Sequence, residues 1–192
     1  RGLGGYRRCL PFVECLAARA NELTVGHGLR NPNIGAISSM EQLDKISAFV
    51  EDAKARNVKV MAGGTRLSDP NSGRGWYFAP TLLDNVRASD RLVQEEIFGP
   101  VLSVQVADSI EHALELANGT EFGLAAGIYT RDVTKALRLA RDIDAGQIYI
   151  NEYYAGGVET PFGGNKLSGF GREKGLEGLR SYCRTKAITA RI

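Results

Sequence analysis

Between Pro100 and Asn151 the apolar pattern changes period four times, and few folds accept that. Val101–Val106 is a continuous strand-like run, and Asp108 or Ser109 stands where a helix cap belongs. Ile110, Ala113, Leu114 and Ala117 recur at helical spacing, and Leu124–Tyr129 reads as a second strand. Asp132 is placed to cap a helix carrying Val133, Ala136, Leu137, Ala140 and Ile143, and Gln147–Ile150 closes the series as a third strand. Strand, helix, strand, helix, strand needs crossovers, and right-handed crossovers build a parallel sheet. The expected fold class is α/β, a mostly parallel sheet with helices on both faces.

The flanking segments fit the same frame. Leu10, Val13, Leu16, Ala17 and Ala20 form a helical stripe over residues 10–23, and Asn31-Pro32-Asn33 is a turn. Ser38-Ser39 can cap a helix with Leu43, Ile46, Phe49, Val50 and Ala53 on one face. Val58–Ala62 alternates as a short strand that stops at Gly63-Gly64, and residues 65–76 read as an exposed loop. Tyr77–Leu83 reads as extended, with Pro80 best suited to an edge. After a glycine-rich loop at 155–171, a short helix is expected at 173–181. The tail Arg184–Ile192 alternates weakly and suits a strand that pairs outside the main sheet, with another subunit.

Composition excludes several function classes. The 192 residues carry a net charge of only +2, too little to argue for nucleic acid or an anionic membrane surface. No apolar run approaches a membrane span, and no signal peptide is visible. Cys9, Cys15 and Cys183 have no C-x-x-C spacing and read as reduced thiols, which points to a cytoplasmic protein. With only His27 and His112 beside them, no protein-built metal site is expected.

Two stretches could carry chemistry. The loop Gly156–Gly171 resembles a phosphate cradle in composition, but its spacing fails. From Gly169 it reads G-x-G-x-x-x-G, one residue too long for a dinucleotide fingerprint, and from Gly164 Phe170 stands where a P-loop lysine belongs. Either it brings Phe162 to the lip of a cleft, or it is a structural loop with Phe162 in the core. The second stretch is Gln94-Glu95-Glu96-Ile97-Phe98-Gly99-Pro100, two acids running into an apolar pair. A solvated helix end explains most such pairs. Here the flanks lead into the core, so a carboxylate at this edge could accept two hydrogen bonds from a vicinal diol such as a ribose. Phe98 could offer a face to a flat ring.

These residues also carry a family resemblance. Glu95–Val101 resembles the EEIFGPV signature of the NAD(P)-dependent aldehyde dehydrogenases. Phe122–Thr130 resembles their YGLAAGV-(W/F)-T strand, Ala145–Asn151 their AGTVWIN, and Pro161–Glu173 their PFGGYKxSGxGRE. The resemblance covers about residues 12–192 and implies a catalytic-domain portion spanning 1–183, followed by an oligomerisation strand at 184–192. In an intact member a cysteine thiolate attacks the aldehyde, hydride passes to the nicotinamide, and water releases the acid. Glu96 matches the residue that holds the nicotinamide ribose, and Phe98 one that lines the nicotinamide site. Gln42 and Lys45 match residues that reach the other end of the cofactor. Phe162 matches an aromatic wall of the substrate tunnel, and Gly156 falls where many members carry a larger residue. The matched nucleophile, general-base glutamate and cofactor domain all fall before Arg1, and Cys9 and Cys15 lack the nucleophile's flanks. The expectation is that this chain alone turns over no aldehyde and binds no NAD or NADP, while the intact form is a homo-oligomer. The alternative is a non-catalytic oligomerisation or interaction module.

Overall fold

The computed structural model describes residues 2–192, with side chains from Leu10 onward. The chain divides into two compact units, one ending at Leu116 and one running from Ala117 to Ile192. The first contains β1 (Gly2–Gly5), α1 (Tyr6–Glu22), α2 (Met40–Ala55), β2 (Lys59–Ala62), β3 (Arg66–Leu67), β4 (Tyr77–Phe78), β5 (Thr81–Asp84), α3 (Arg91–Gln94) and β6 (Val101–Ala107). Helix α4 (Ile110–Asn118) spans the division. The second contains β7 (Phe122–Gly123), β8 (Ala125–Ile128), α5 (Val133–Asp142), β9 (Gln147–Ile150), β10 (Asn165–Lys166) and α6 (Gly175–Ser181).

The principal sheet of the first unit has the order β1-β6-β5-β2. Strands β1 and β5 run parallel to β6, and β2 runs antiparallel to β5. Neighbouring residues of a strand point to opposite faces, and β5 shows what each face meets. Leu82 packs with Val13, Ala62 and Val104, joined by Leu16, Ala17 and Ala20 of α1. Leu83 packs with Phe49 and Ala53 of α2, together with Val58, Val86, Leu92 and Val93. Helices thus cover both faces, as the alternation of apolar residues requires. Helix α2 starts where expected, because the Ser39 hydroxyl accepts the Gln42 amide at 3.1 Å.

Several expectations need correction. Helix α1 begins at Tyr6, ahead of the stripe that announced it, and carries Pro11 within it. Residues 65–76 are not all loop, since β3 pairs antiparallel with β4. The extended run 77–83 breaks at Ala79-Pro80, and β5 is an interior strand, so Pro80 escapes the ladder by lying between two strands rather than on an edge. The three strands read from 101–150 do not join one sheet among the described residues. Both hydrogen-bonding edges of β6 are already taken by β1 and β5, while β8 and β9 pair parallel with each other in the second unit. Phe122-Gly123 pairs instead with Asn165-Lys166 of the glycine-rich loop. The tail 184–192, expected to pair with another subunit, is exposed throughout and pairs with no strand among the described residues.

The break at Pro80 depends on Gly63. Its φ of +68° is left-handed, and a Cβ there would run into the Pro80 carbonyl and sit 2.8 Å from Thr81 Oγ1. Gly63→Ala is therefore expected to cost about 1–2 kcal/mol from backbone handedness alone, before the clash, read as a lower urea midpoint.

The loop after β3 is held by a buried carboxylate. Asp69 accepts the Ser72 hydroxyl at 2.8 Å and the Ser72 amide at 2.9 Å, and Arg30 approaches both its oxygens at 3.3 Å. The Ser72 hydroxyl, its amide and the Arg30 charge hold the Asp69 carboxyl below its ordinary value, against the opposing effect of burial. A depressed folded-state pKa gives stability that is present above the unfolded value, near 3.9, and is lost as pH falls through the folded one. The melting temperatures of wild type and Asp69→Asn should differ most near pH 6 and converge toward pH 3.

Candidate functional site

The first candidate surface forms where α2 meets residues 95–99. Burial of Leu43, Ile46, Phe49, Val50 and Ala53 fixes the rotation of α2 and leaves Gln42 half-buried and Lys45 exposed, one turn apart on its flank. Across from them, Glu95 turns back to Arg91, which donates to its two oxygens at 2.8 and 3.0 Å. The same guanidinium lies 4.3 Å from the centre of the Phe49 ring. The Arg91 hydrogen bond holds the Glu95 carboxyl below its ordinary range, with a smaller contribution from the Lys45 charge. Glu96 is different: it is exposed and has no hydrogen bond or ion pair with a described residue. The adjacent acids have divided their work, one binding the fold together and one left facing solvent.

Phe98 is the local anomaly. Its φ of 56° places a bulky residue in the left-handed region, at a cost of order 1–3 kcal/mol, and the residue is 73% exposed. The Gln42 side-chain amide donates to the Ile97 carbonyl at 2.8 Å and to the Phe98 carbonyl at 3.1 Å. Next in sequence, Gly99 lies so close to α2 that a Cβ would stand 2.5 Å from Ile46 Cδ1. Gln42 thus ties α2 to the backbone of residues 97 and 98, with the exposed Lys45 one turn along the helix and the exposed Glu96 just before them in the chain. Gln42 has both of its donors committed to carbonyls, which sequence reasoning did not foresee.

The second candidate surface lies in the second unit. Phe162 is half-buried and tied to Glu173 by two backbone hydrogen bonds of 2.7 Å. The Lys174 ammonium stands 5.7 Å from its ring centre. Around it is an aromatic cluster that the sequence reading missed. Tyr154 is 6.2 Å from Phe162, and Tyr149, Tyr153 and Tyr154 are mutually packed at 5.5–6.4 Å. Three tyrosines within six residues of sequence, just before the Phe162 loop, were the available signal. Gly156 has a φ of +112°, so a larger residue there would be strained whatever space surrounds it. Gln147 fixes the loop by donating to the Pro161 carbonyl at 2.6 Å.

The remaining candidates have local tasks. His27 Nδ1 accepts the Leu29 amide and His112 Nδ1 the Asp108 amide, each at 3.3 Å. Cys15 and Cys183 are exposed, and the Cys9 side chain lies outside the described residues. Among the described residues no three His, Cys, Asp or Glu side chains gather as a metal site, and no helix is long and apolar enough to cross a membrane.

Comparison with known proteins gives these surfaces a context. Residues 7–188 match the sequence model of the Aldehyde dehydrogenase family. The chain is 41% identical over 190 residues to 4-trimethylaminobutyraldehyde dehydrogenase A of Danio rerio, covering 97% of this chain and 37% of that protein. It is 41% identical over 187 residues to the Oryzias latipes 4-trimethylaminobutyraldehyde dehydrogenase, with 95% and 37% covered. Its fold resembles a betaine aldehyde dehydrogenase from Staphylococcus aureus solved in complex with NAD+, with a TM-score of 0.89, 34% identity, and 94% of this chain and 36% of that one covered. The sequence given spans about 37% of the length of those curated relatives. The match runs through both candidate surfaces, and the chain belongs to the aldehyde dehydrogenase family.

Proposed function

We propose that this chain supplies the nicotinamide-ribose wall and part of the substrate wall of an enzyme that oxidises aldehydes to carboxylic acids with NAD or NADP. The observation that carries the reading is the joining of Gln42 on α2 to the backbone of residues 97 and 98, beside an exposed Glu96 that has no partner among the described residues and an exposed Phe98. The donor set fits the group. An exposed carboxylate accepts both hydroxyls of a ribose, a flat apolar ring faces the nicotinamide, and the Lys45 charge suits the anionic part of the cofactor. When bound, the nicotinamide accepts hydride from the substrate. Glu96 orients the ribose, and Phe98 excludes water from one side. Phe162, with Tyr154 beside it and Tyr153 packed on Tyr154, lines the path of the aldehyde's organic group, next to the side-chain-free Gly156. The exposed, weakly alternating tail 184–192 is assigned to strand pairing between copies in a homo-oligomer, and the unpaired thiols suit a cytoplasmic setting.

The test is a chimera that joins the leading portion of the Danio rerio relative to this chain at Pro11. It should form reduced nicotinamide from NAD or NADP with members of an aldehyde panel, while the 192-residue chain alone forms none. A folded chimera that binds the cofactor yet oxidises no aldehyde would sink the reading.

A further inference from the structure

The geometry points to Gln42 as a positioning residue, one that holds Phe98 in its left-handed conformation by clamping the two carbonyls around it. This inference rests on the reading of Phe98 as a nicotinamide wall and gives Gln42 a different task from a direct cofactor donor. A primary amide nitrogen has two hydrogens, and here one goes to Ile97 O at 2.8 Å and the other to Phe98 O at 3.1 Å. Only Oε1 is left to meet a ligand, so Gln42 can accept from a hydroxyl but cannot donate to a phosphate.

The clamp has a reason to exist. Phe98 sits at φ 56°, a region a phenylalanine leaves unless its surroundings hold it there. Its own packing does little to hold it, since the residue is 73% exposed. What holds it is the backbone on either side. Gln42 grips the carbonyls of residues 97 and 98, and Gly99 is pressed against Ile46, leaving no space for the chain to relax toward α2. Both anchors come from α2, whose rotation is fixed by its buried face. The next hydrogen bonds along the chain depend on the same path. The Val101 amide donates to Gly99 O, and the Thr81 amide to Pro100 O, each at 2.8 Å. A flat ring presented from a strained, clamped backbone is a surface prepared before the ligand arrives, which lowers the ordering cost of binding.

Amide hydrogen exchange on the 192-residue chain tests this with no cofactor present. Gln42→Ala and the isosteric Gln42→Glu, which lacks the donors, should each raise exchange at the Val101 and Thr81 amides by roughly tenfold. The Ala136 amide in the second unit serves as the unchanged reference. Phe98→Gly removes the need for the clamp, because glycine accepts left-handed backbone freely. In that background Gln42→Ala should raise exchange far less. Unchanged exchange in the two Gln42 variants, or an equal rise with and without Phe98→Gly, would overturn the clamp. Failure of the cofactor reading shows separately, as a chimera in which Phe98→Gly leaves the NAD KM unaltered while the exchange coupling persists.

Discussion

Phe49→Ala is expected to remove about 3–5 kcal/mol of stability from the first unit. Phe49 is 1% exposed and lies at the centre of the cluster formed with Ala53, Val58, Leu83, Val86, Leu92 and Val93. Its truncation leaves a cavity between α2 and the sheet, and the surrounding groups come from α2, β5, α3 and the connections carrying Val58 and Val86, which cannot all collapse into it. The ring also underlies the Arg91 guanidinium, which pairs with Glu95. The variant therefore loosens α3 and the start of the 95–98 segment together. Single domains have margins of about 5–15 kcal/mol, so a loss of this size brings the unit close to unfolding at ambient temperature. Urea denaturation followed by far-ultraviolet circular dichroism measures it. A loss below about 1 kcal/mol would show that Phe49 is not the keystone of this face.

Glu96→Gln is expected to have the opposite profile, with a large effect on cofactor and almost none on fold. Glu96 is exposed and has no hydrogen bond or ion pair with a described residue, so nothing buried loses a partner. Surface substitutions of this kind stay within about 0.5 kcal/mol. In the chimera, however, the substitution replaces an acceptor for two ribose hydroxyls with an amide that can accept through one oxygen only. Hydrogen bonds to a charged group contribute about 1.5–3 kcal/mol, which predicts a rise of roughly 10- to 100-fold in the NAD KM. Glu95→Gln makes the contrast. It breaks the pairing with Arg91 and should disturb the segment itself, with a lower melting temperature and altered exchange at residues 95–98. Equal effects of the two substitutions on stability would contradict the division of labour between the acids.

The sequence showed the helices and their caps well, because a cap and a buried stripe are local signals. Ser39 and Asp132 each accept from an amide three residues on, and the buried positions of α2 recur at helical spacing within one segment. It showed less of the strand pairing. That β6 is sandwiched between β1 and β5 depends on contacts across tens of residues, which no local period encodes. Proline was misread at position 80 for the same reason: Pro80 lies in a break between strands that Gly63, far back in sequence, makes possible. At the site, residue identities were legible through the motifs, but their partnerships were not. Nothing in Glu95-Glu96 says which acid is paired, since the answer lies in Arg91 placed over Phe49. The two donors of Gln42 reach carbonyls 55 and 56 residues away, and the tyrosine cluster around Phe162 forms only when the loop folds back.

The most direct test of the account is a crystal structure of the chimera soaked with NAD. The account predicts the nicotinamide ribose hydroxyls within hydrogen-bonding distance of the Glu96 carboxylate and the nicotinamide ring against Phe98, with Gln42 still on the carbonyls of Ile97 and Phe98. A ribose held by other residues, with Glu96 turned to solvent, would contradict it.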